Sequence, residues 1–592
     1  MVLSSAPSTV FEVSWEVCNK VGGIYQVVKS KADLLRRRYS NYICVGPYFA
    51  NQAQFEFQQL AAPPEYKAAF EELEHEGISC LYGKWLIRGE PITILIKLER
   101  ERIDENAVKK ELWERFGVDS LNANYEFDEP LRWGWAAGKL IERLSVTLPA
   151  PTVAHCHEWL GGFTLLYLRA RTQHVGTVFT THATMLGRSL CANGRELYGA
   201  LAAINPDQAA RELGIMEKYS MERACAKHTH VFTTVSEITG LEATALLGRK
   251  PDVLTLNGLD DSKFPTFEEA SILHQKHREK IRDFLEYYFF SHYTFDMQET
   301  VIMFITGRFE FHNKGIDVFI QALGKLNSAL RDEGSTKTVV AFFWIPNETH
   351  GIKTELLEEK AVFSAIKNYV EDNNEDFVRK ILREVPNIKE FTCEQLLSPE
   401  FVRTIQRQFQ AMKHEGNAPL CTHNIPNEDN NAIVSAFRQN GLFNSAQDPV
   451  KAIFYPVYLT GSDGLLDMTY NDAVSGTHLG VFPSYYEPWG YTPVEGMAFG
   501  VPAITTDLAG FGAFMEPHAG KGVFVLHRNG RSDQDASKEL FDLLLNFAHK
   551  DKFQRNEEKT QAKALTKLTD WSAFILYYVE AHRLAVERSQ GS

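Results

Sequence analysis

Glu487 and Glu495 are two carboxylates eight positions apart in the stretch GVFPSYYEPWGYTPVEGMAFGVPAITT. The apolar run 479–483 reads as a strand and 484–491 as a loop. A helix follows, with Thr492 at its N-cap, Pro493 in the first turn and Glu495 three residues after the cap; Gly500 and Pro502 end it. Taken alone, Glu495 in such a capping box need only accept a backbone N–H. The loop argues for more, because Glu487, Trp489 and Tyr491 crowd the carboxyl end of a strand beside a helix N-terminus, where phosphates bind. One carboxylate could there face a transferred sugar and the other the ribose hydroxyls of a sugar nucleotide.

Three further stretches carry residues of complementary chemistry. In ITGRFEFHNKGID, Arg308 and Lys314 follow a strand and flank a turn; as a pair they can hold a diphosphate and stabilise the charge that develops as it departs, although surface Arg and Lys are usually only solvated. In WEVCNKVGGIYQVVKSKADLL, Gly22 and Gly23 lie between a strand and a helix, where backbone N–H groups can approach a phosphate, but the pattern is neither a P-loop nor a full dinucleotide fingerprint. In FTTHATMLGR, His182 stands just past a strand and Arg188 six positions on. His155 and His157 in HCHEWLGG share one face of a strand, but no third ligand is evident, so no metal site is expected.

These segments need a scaffold, and the chain has the composition for one. Its 592 residues exceed one hydrophobic core, which stops growing near ~250–300 residues, so two large domains are expected. Short, nearly continuous apolar strands alternate with helices, first in VFEVSWEV, NYICVGP, ITILIKL, PTVAHCHEW, TVFTTHAT and HVFTTVS, then in TVIMFITGRFE, KTVVAFFWIP, KAIFYPVYL, HLGVFPSYY and VPAITTD. Two such series predict an α/β protein of two doubly wound, Rossmann-like domains with ligands at the carboxyl ends of the strands. The break is placed after Asn257-Gly258-Leu259: an N-terminal domain over 1–262 completed by a closing helix at 572–592, a helical linker at 263–298, and a C-terminal domain over 299–571 with a charged helical insertion at about 353–413.

A formal net charge of −14 argues against nucleic acid or anionic membrane as the main partner. The eight cysteines are scattered without a Cys-x-x-Cys pair, which fits a reducing compartment. The N-terminal stretch MVLSSAPSTVFEV lacks the pattern of a signal peptide, and no apolar run reaches membrane-spanning length, so a cytoplasmic protein is expected.

With these motifs in this order, the chain resembles the eukaryotic glycogen synthases, retaining glycosyltransferases of two facing Rossmann domains (the GT-B arrangement), from residue 10 to about residue 584. The wording YYEPWGYTPVE, the R-x-E-x-x-N-K-G run at 308–315 and Lys20-Val21-Gly22-Gly23 carry the likeness. The resemblance implies transfer of glucose from UDP-glucose to the 4-hydroxyl of an α-1,4-glucan, with no cofactor and no metal. It places Glu487 at the donor glucose with Trp489 and Gly490 lining the pocket, and Tyr491 and Tyr470 on either side of the uracil. It sets Thr492 at the phosphate, Glu495 at the ribose, and Arg308 and Lys314 at the leaving group. It further implies that Lys20 contacts nucleotide phosphate, that His182 and Arg188 flank the donor sugar, that Asn257 lies on the cleft floor and that Glu158 faces the glucan. A homotetramer and a glycogenin partner are implied as well. The rival readings are a starch or sucrose synthase type of transferase and a catalytically silent glucan-binding subunit.

The chain departs from this family in one region. Where the family carries an arginine-rich helix that senses glucose 6-phosphate, HKDKFQRNEEKTQAKALTKLTDW has Arg555 as its only arginine, and lysine does not reproduce the bidentate grip of arginine on phosphate. His274 and His478 remain, while Glu268, Ser271 and Arg278 stand where the family has other residues. Weak or absent activation by glucose 6-phosphate is expected.

Overall fold

The computed structural model describes residues 6–98, 103–384 and 397–591. Among the described residues the strands form two sheets. The first contains β1 (Thr9–Val13), β2 (Asn41–Pro47), β3 (Phe57–Gln59), β4 (Ile78–Trp85), β5 (Ile92–Leu98), β6 (Thr152–His157), β7 (Val175–Thr181), β8 (Val231–Thr234) and β9 (Val253–Leu254). Their spatial order is β3-β4-β5-β2-β1-β6-β7-β8-β9, and β4 alone runs antiparallel to its neighbours. The second contains β10 (Thr300–Thr306), β11 (Thr338–Trp344), β12 (Val450–Tyr455), β13 (Leu479–Val481), β14 (Ala503–Thr506) and β15 (Val523–Leu526), all parallel, in the order β12-β11-β10-β13-β14-β15. Counted within that sheet the order is 3-2-1-4-5-6, the doubly wound order that opens a crevice where the winding reverses, between β10 and β13.

The apolar runs explain both sheets. Along β10 and β11, Val301, Met303, Ile305, Val339, Ala341 and Phe343 enter the core on one face. The alternating Ile302, Phe304, Val340 and Phe342 enter the core on the other. Both faces are covered by helices, as a parallel sheet requires.

The chain passes between the domains at two adjacent points. The Leu259 N–H donates to the Thr569 carbonyl at 2.8 Å, and the Trp571 N–H donates back to Leu259 at 3.2 Å. Gly258 is packed so closely there that a Cβ would lie 2.5 Å from the Trp571 ring. The closing helix Trp571–Gln590 then returns to the first sheet, where its Ala585 backbone packs against Gly176 of β7. The connecting helix Phe267–Phe289 starts in a capping box of Thr266 and Glu269. The charged insertion forms the helices Thr354–Asp372, Asn374–Glu384 and Pro399–Met412; residues 385–396 within it fall outside the described residues. No described helix is long and apolar enough to cross a membrane.

Candidate active site

The loops leaving β10 and β13 bring one of the two sequence-predicted cations, Lys314, together with Glu487. Lys314 Nζ lies 2.5 Å from Glu487 Oε2, with both side chains about four-fifths buried. The backbone explains why. The Asn313 carbonyl accepts the N–H groups of Tyr485 (2.9 Å) and Tyr486 (3.2 Å). Gly315, at φ +68°, sits where a Cβ would lie 1.9 Å from the Pro483 carbonyl oxygen. The Asn-Lys-Gly run thus joins the two loops at the reversal of the sheet and holds the lysine over the glutamate.

Arg308 stands apart from this pair, largely exposed and bonded to Glu310 at 2.9 Å. It lines a cavity of about 410 Å³ together with Gly307, Trp344, Val457, Tyr458 and Tyr470. The Tyr470 hydroxyl is buried without a partner. Tyr491 is not part of that lining: its hydroxyl points across the domain junction to the Gly258 carbonyl at 3.4 Å. Both tyrosines have Glu495 as an electrostatic neighbour.

The expected helix start requires correction. The helix is Tyr491–Ala498, and its N-cap is Gly490 at φ +100°, with no side-chain cap. Thr492 is therefore inside the first turn, and Glu495 is not the partner of a capping box. The chain leaves the loop two residues earlier, through a left-handed φ at residue 490 that glycine adopts without strain, and a Cβ there would also lie 3.2 Å from Glu487 Cγ. Relieved of capping, the Glu495 carboxyl is pushed up to about 7 by burial. Trp489 is buried with its indole N–H unsatisfied.

From the first domain, the loop after β1 supplies exposed Lys20 and the Gly22-Gly23 turn at the start of helix Gly23–Arg38. Two amides of that helix start are already taken: Glu16 Oε2 accepts from Gly22 and Tyr25, each at 2.8 Å. Glu16 was not singled out in the sequence. Gly23 faces open space. His182 follows β7 and is nearly buried, with Nε2 2.9 Å from His157 Nδ1. Glu158, at φ +58°, turns its carboxylate inward, so that Oε1 accepts the His182 (2.7 Å) and Ala183 (3.2 Å) amides. It holds the His182 turn instead of presenting both oxygens to a glucan. The Arg188 guanidinium is favoured as a cation: burial opposes its charge, but Glu158, Tyr486, Glu222 and Glu310 outweigh that. Asn257 is buried, with its Oδ1 unsatisfied.

The expectation that His155 and His157 lack a third companion is also corrected. Glu12 of β1 pairs in register with His155 and lies against both rings. Its carboxylate is already engaged by Lys31 at 2.5 Å and by the Tyr42 hydroxyl at 2.9 Å. A carboxylate inside the otherwise apolar strand of residues 9–13 was the available signal, since an unpaired buried charge is rare.

The two domains meet directly over Glu487. The Tyr486 hydroxyl donates to Glu242 Oε1 (3.1 Å), Ser236 Oγ donates to the Pro488 carbonyl (2.7 Å), and the Leu197 N–H donates to the Tyr485 hydroxyl (2.9 Å). Burial pushes the Glu242 carboxyl up to about 7.

Away from this cleft, His274, Arg278, His478 and Arg555 gather between the helices Phe267–Phe289 and Lys552–Leu565. His274 Nδ1 bonds the Ser475 carbonyl, and its Nε2 is buried without a partner. His478 Nδ1 accepts the Ile302 N–H at 2.9 Å, and Arg555 Nη1 donates to the Lys550 carbonyl at 2.6 Å. Burial and the surrounding guanidiniums of Arg278, Arg555 and Arg282 hold His478 well below the usual histidine range. Ser271, Asn556 and Lys559 line an adjoining cavity of about 240 Å³, in which burial lowers Lys559 to about 7.

A family described as glycogen synthase matches residues 12–591 of the chain. The Glycogen [starch] synthase of Caenorhabditis elegans is 38% identical over 594 residues, covering 98% of this chain and 88% of that protein. The corresponding protein of Neurospora crassa is 37% identical over 602 residues, covering 98% and 84%. The liver Glycogen [starch] synthase of Rattus norvegicus is 37% identical over 592 residues, covering 98% and 83%. Among solved structures, the catalytic domain of starch synthase IV from Arabidopsis thaliana, bound to ADP and acarbose, shares the fold at a TM-score of 0.53 and 14% identity, covering 98% of this chain and 99% of that one.

Proposed function

Because the chain belongs to the glycogen synthase family and is a glycosyltransferase of two Rossmann-like domains, we propose that it transfers glucose from UDP-glucose to the non-reducing 4-hydroxyl of an α-1,4-glucan with retention of configuration. The observation that carries this reading is the Lys314–Glu487 pair at the reversal point of the second sheet, beside the open N-terminus of helix Tyr491–Ala498. A diphosphate between Lys314, Arg308 and the amides near Thr492 would leave with its charge met by cations and N–H dipoles. Glu487 would then be free to orient the sugar and favour the positive charge that develops on it. The acceptor hydroxyl attacks on the face that the diphosphate leaves, and the leaving phosphate takes its proton, so no further side-chain base is needed. The cavity at Tyr470 suits a flat base, Glu495 suits the ribose hydroxyls, and Lys20, Gly22, Gly23, His182, Arg188 and Asn257 close the site from the first domain. The cations Arg308 and Lys314 do the work that a divalent metal does elsewhere. We further propose a cytoplasmic homotetramer that elongates a glycogenin-borne primer.

Incorporation of labelled glucose into glycogen, from UDP-glucose and ADP-glucose in parallel, tests this reading. Transfer from UDP-glucose with retained anomeric configuration is the expected result; preference for ADP-glucose, or no transfer, overturns it.

A further inference from the structure

Behind His182 lies a fully buried chain of hydrogen bonds that reaches back to the other side of the first sheet. Lys31, from helix Gly23–Arg38, is 0% exposed and places Nζ 2.5 Å from Glu12 Oε1. The Tyr42 hydroxyl donates to Glu12 Oε2 at 2.9 Å. His157 Nε2 makes a close hydrogen bond to Glu12 Oε1, and His157 Nδ1 lies 2.9 Å from His182 Nε2. No described residue bonds His182 Nδ1, and that atom is not among the buried polar atoms left unsatisfied.

The proton positions along this chain follow from the chemistry of its members. An ionised carboxylate only accepts, so His157 must carry its proton on Nε2. A neutral imidazole has one donor and one acceptor nitrogen, which leaves His157 Nδ1 as a bare acceptor. The ring facing it must then donate, so His182 is protonated on Nε2 and its Nδ1 is bare. The electrostatics agree. Although burial opposes its charge, Lys31, His155 and His157 hold the Glu12 carboxyl well below the usual carboxylate range. Burial keeps His157 and His182 neutral by lowering both, with Lys31 adding to the effect. A cationic His157 would donate from Nδ1 and invert the tautomer of His182.

We infer that Glu12 and His157 are positioning residues that fix His182 as its Nε2–H tautomer, so that His182 Nδ1 meets the donor sugar as a hydrogen-bond acceptor and selects a hydroxyl over fluorine. The contact with the sugar rests on the proposed function; the tautomer does not. The ring is held at three points, by His157 at Nε2, by Glu158 at its backbone N–H and by the end of β7. It therefore cannot turn to offer a donor without breaking the chain behind it.

Two measurements on the full-length protein test this. Two-bond proton–nitrogen correlation spectra of imidazole-labelled protein, with His182 assigned by its loss in His182→Gln, should show a protonated Nε2 and a bare Nδ1 at neutral pH in the unliganded protein. A protonated Nδ1 overturns the proposal without requiring any variant to fold. The second measurement compares UDP-glucose with analogues carrying fluorine in place of one sugar hydroxyl at a time, in the wild type and in His157→Phe. The inductive effect of fluorine cancels between the two proteins. At one position the wild type should discriminate in kcat/KM about tenfold or more beyond His157→Phe, as expected for one lost hydrogen bond to a fixed acceptor. Equal discrimination at every position, with transfer from UDP-glucose intact, overturns the proposal. Absence of transfer from UDP-glucose in the wild type would instead overturn the proposed function and leave the tautomer standing.

Discussion

Lys314 Nζ and Glu487 Oε2 stand 2.5 Å apart although they are 173 positions apart in sequence, and each belongs to a loop at one side of the sheet reversal. Each charge is satisfied by the other in the unliganded protein. A diphosphate arriving at the lysine would share it with the glutamate and release that carboxylate toward the sugar. Lys314→Ala should lower kcat about 10²–10³-fold, the usual effect of removing one preorganised charge-stabilising donor, with a small change in thermal midpoint. Full activity in a folded Lys314→Ala protein, read by labelled-glucose incorporation, would refute the role given to Lys314.

Glu495 gives a pH dependence with a definite sign. Burial raises its carboxyl from 4.5 to about 7 in the folded protein. The folded state therefore binds more protons than the unfolded state between those values, and stability from this group declines as pH rises from about 4.5 through about 7. Nucleotide binding should run the other way, because ribose hydroxyls donate to the ionised carboxylate. UDP binding near pH 7 should thus release protons from Glu495. Calorimetric titration of UDP in buffers of different ionisation enthalpy should report that release, and Glu495→Gln should abolish it. An identical proton release in the variant would exclude Glu495 as its source.

Much of this architecture could be read from residue patterns because the signals were local. Uninterrupted apolar runs marked buried parallel strands, and Arg308, Lys314, His182 and Glu487 all follow such runs. What could not be read depended on pairing between distant segments. Glu12 meets His155 only through the register of β1 with β6, more than 140 positions apart. Tyr486 finds Glu242 only once the two domains dock. The misplaced N-cap has a different cause. Residue preference favours Thr492, but the backbone enters the helix through a left-handed φ at residue 490, which Gly490 supplies.

Gly315 is a second position where backbone conformation governs the site. At φ +68° a side chain is already strained, and a Cβ would lie 1.9 Å from the Pro483 carbonyl oxygen. Gly334 has a similar φ of +62° but open space around it. Gly334→Ala should cost only about 1–2 kcal/mol of left-handed strain and leave transfer unchanged. Gly315→Ala should cost clearly more, because the β10 and β13 loops must separate, and should abolish transfer by drawing Lys314 from Glu487. Equal thermal midpoints and equal activities for the two variants would show that the loop contact is unimportant.

The cluster around His478 carries the prediction of weak or absent activation by glucose 6-phosphate. Arg555 is the only arginine of its helix, and one of its nitrogens is held by the Lys550 carbonyl. His478 Nδ1 is occupied by a backbone amide, and Lys559, lowered to about 7 by burial, is only partly charged at neutral pH. A phosphate there would meet Arg278, whose buried Nη2 lacks a partner, but not a row of forked donors. Activation by glucose 6-phosphate should therefore stay below the roughly fivefold at which allosteric coupling is usually recognised. Lowering the pH from 8 to 6 should strengthen any residual effect as Lys559 gains its proton. Activation of many-fold that disappears in Arg555→Ala would show that one arginine suffices and that the loss of the others did not disable the site.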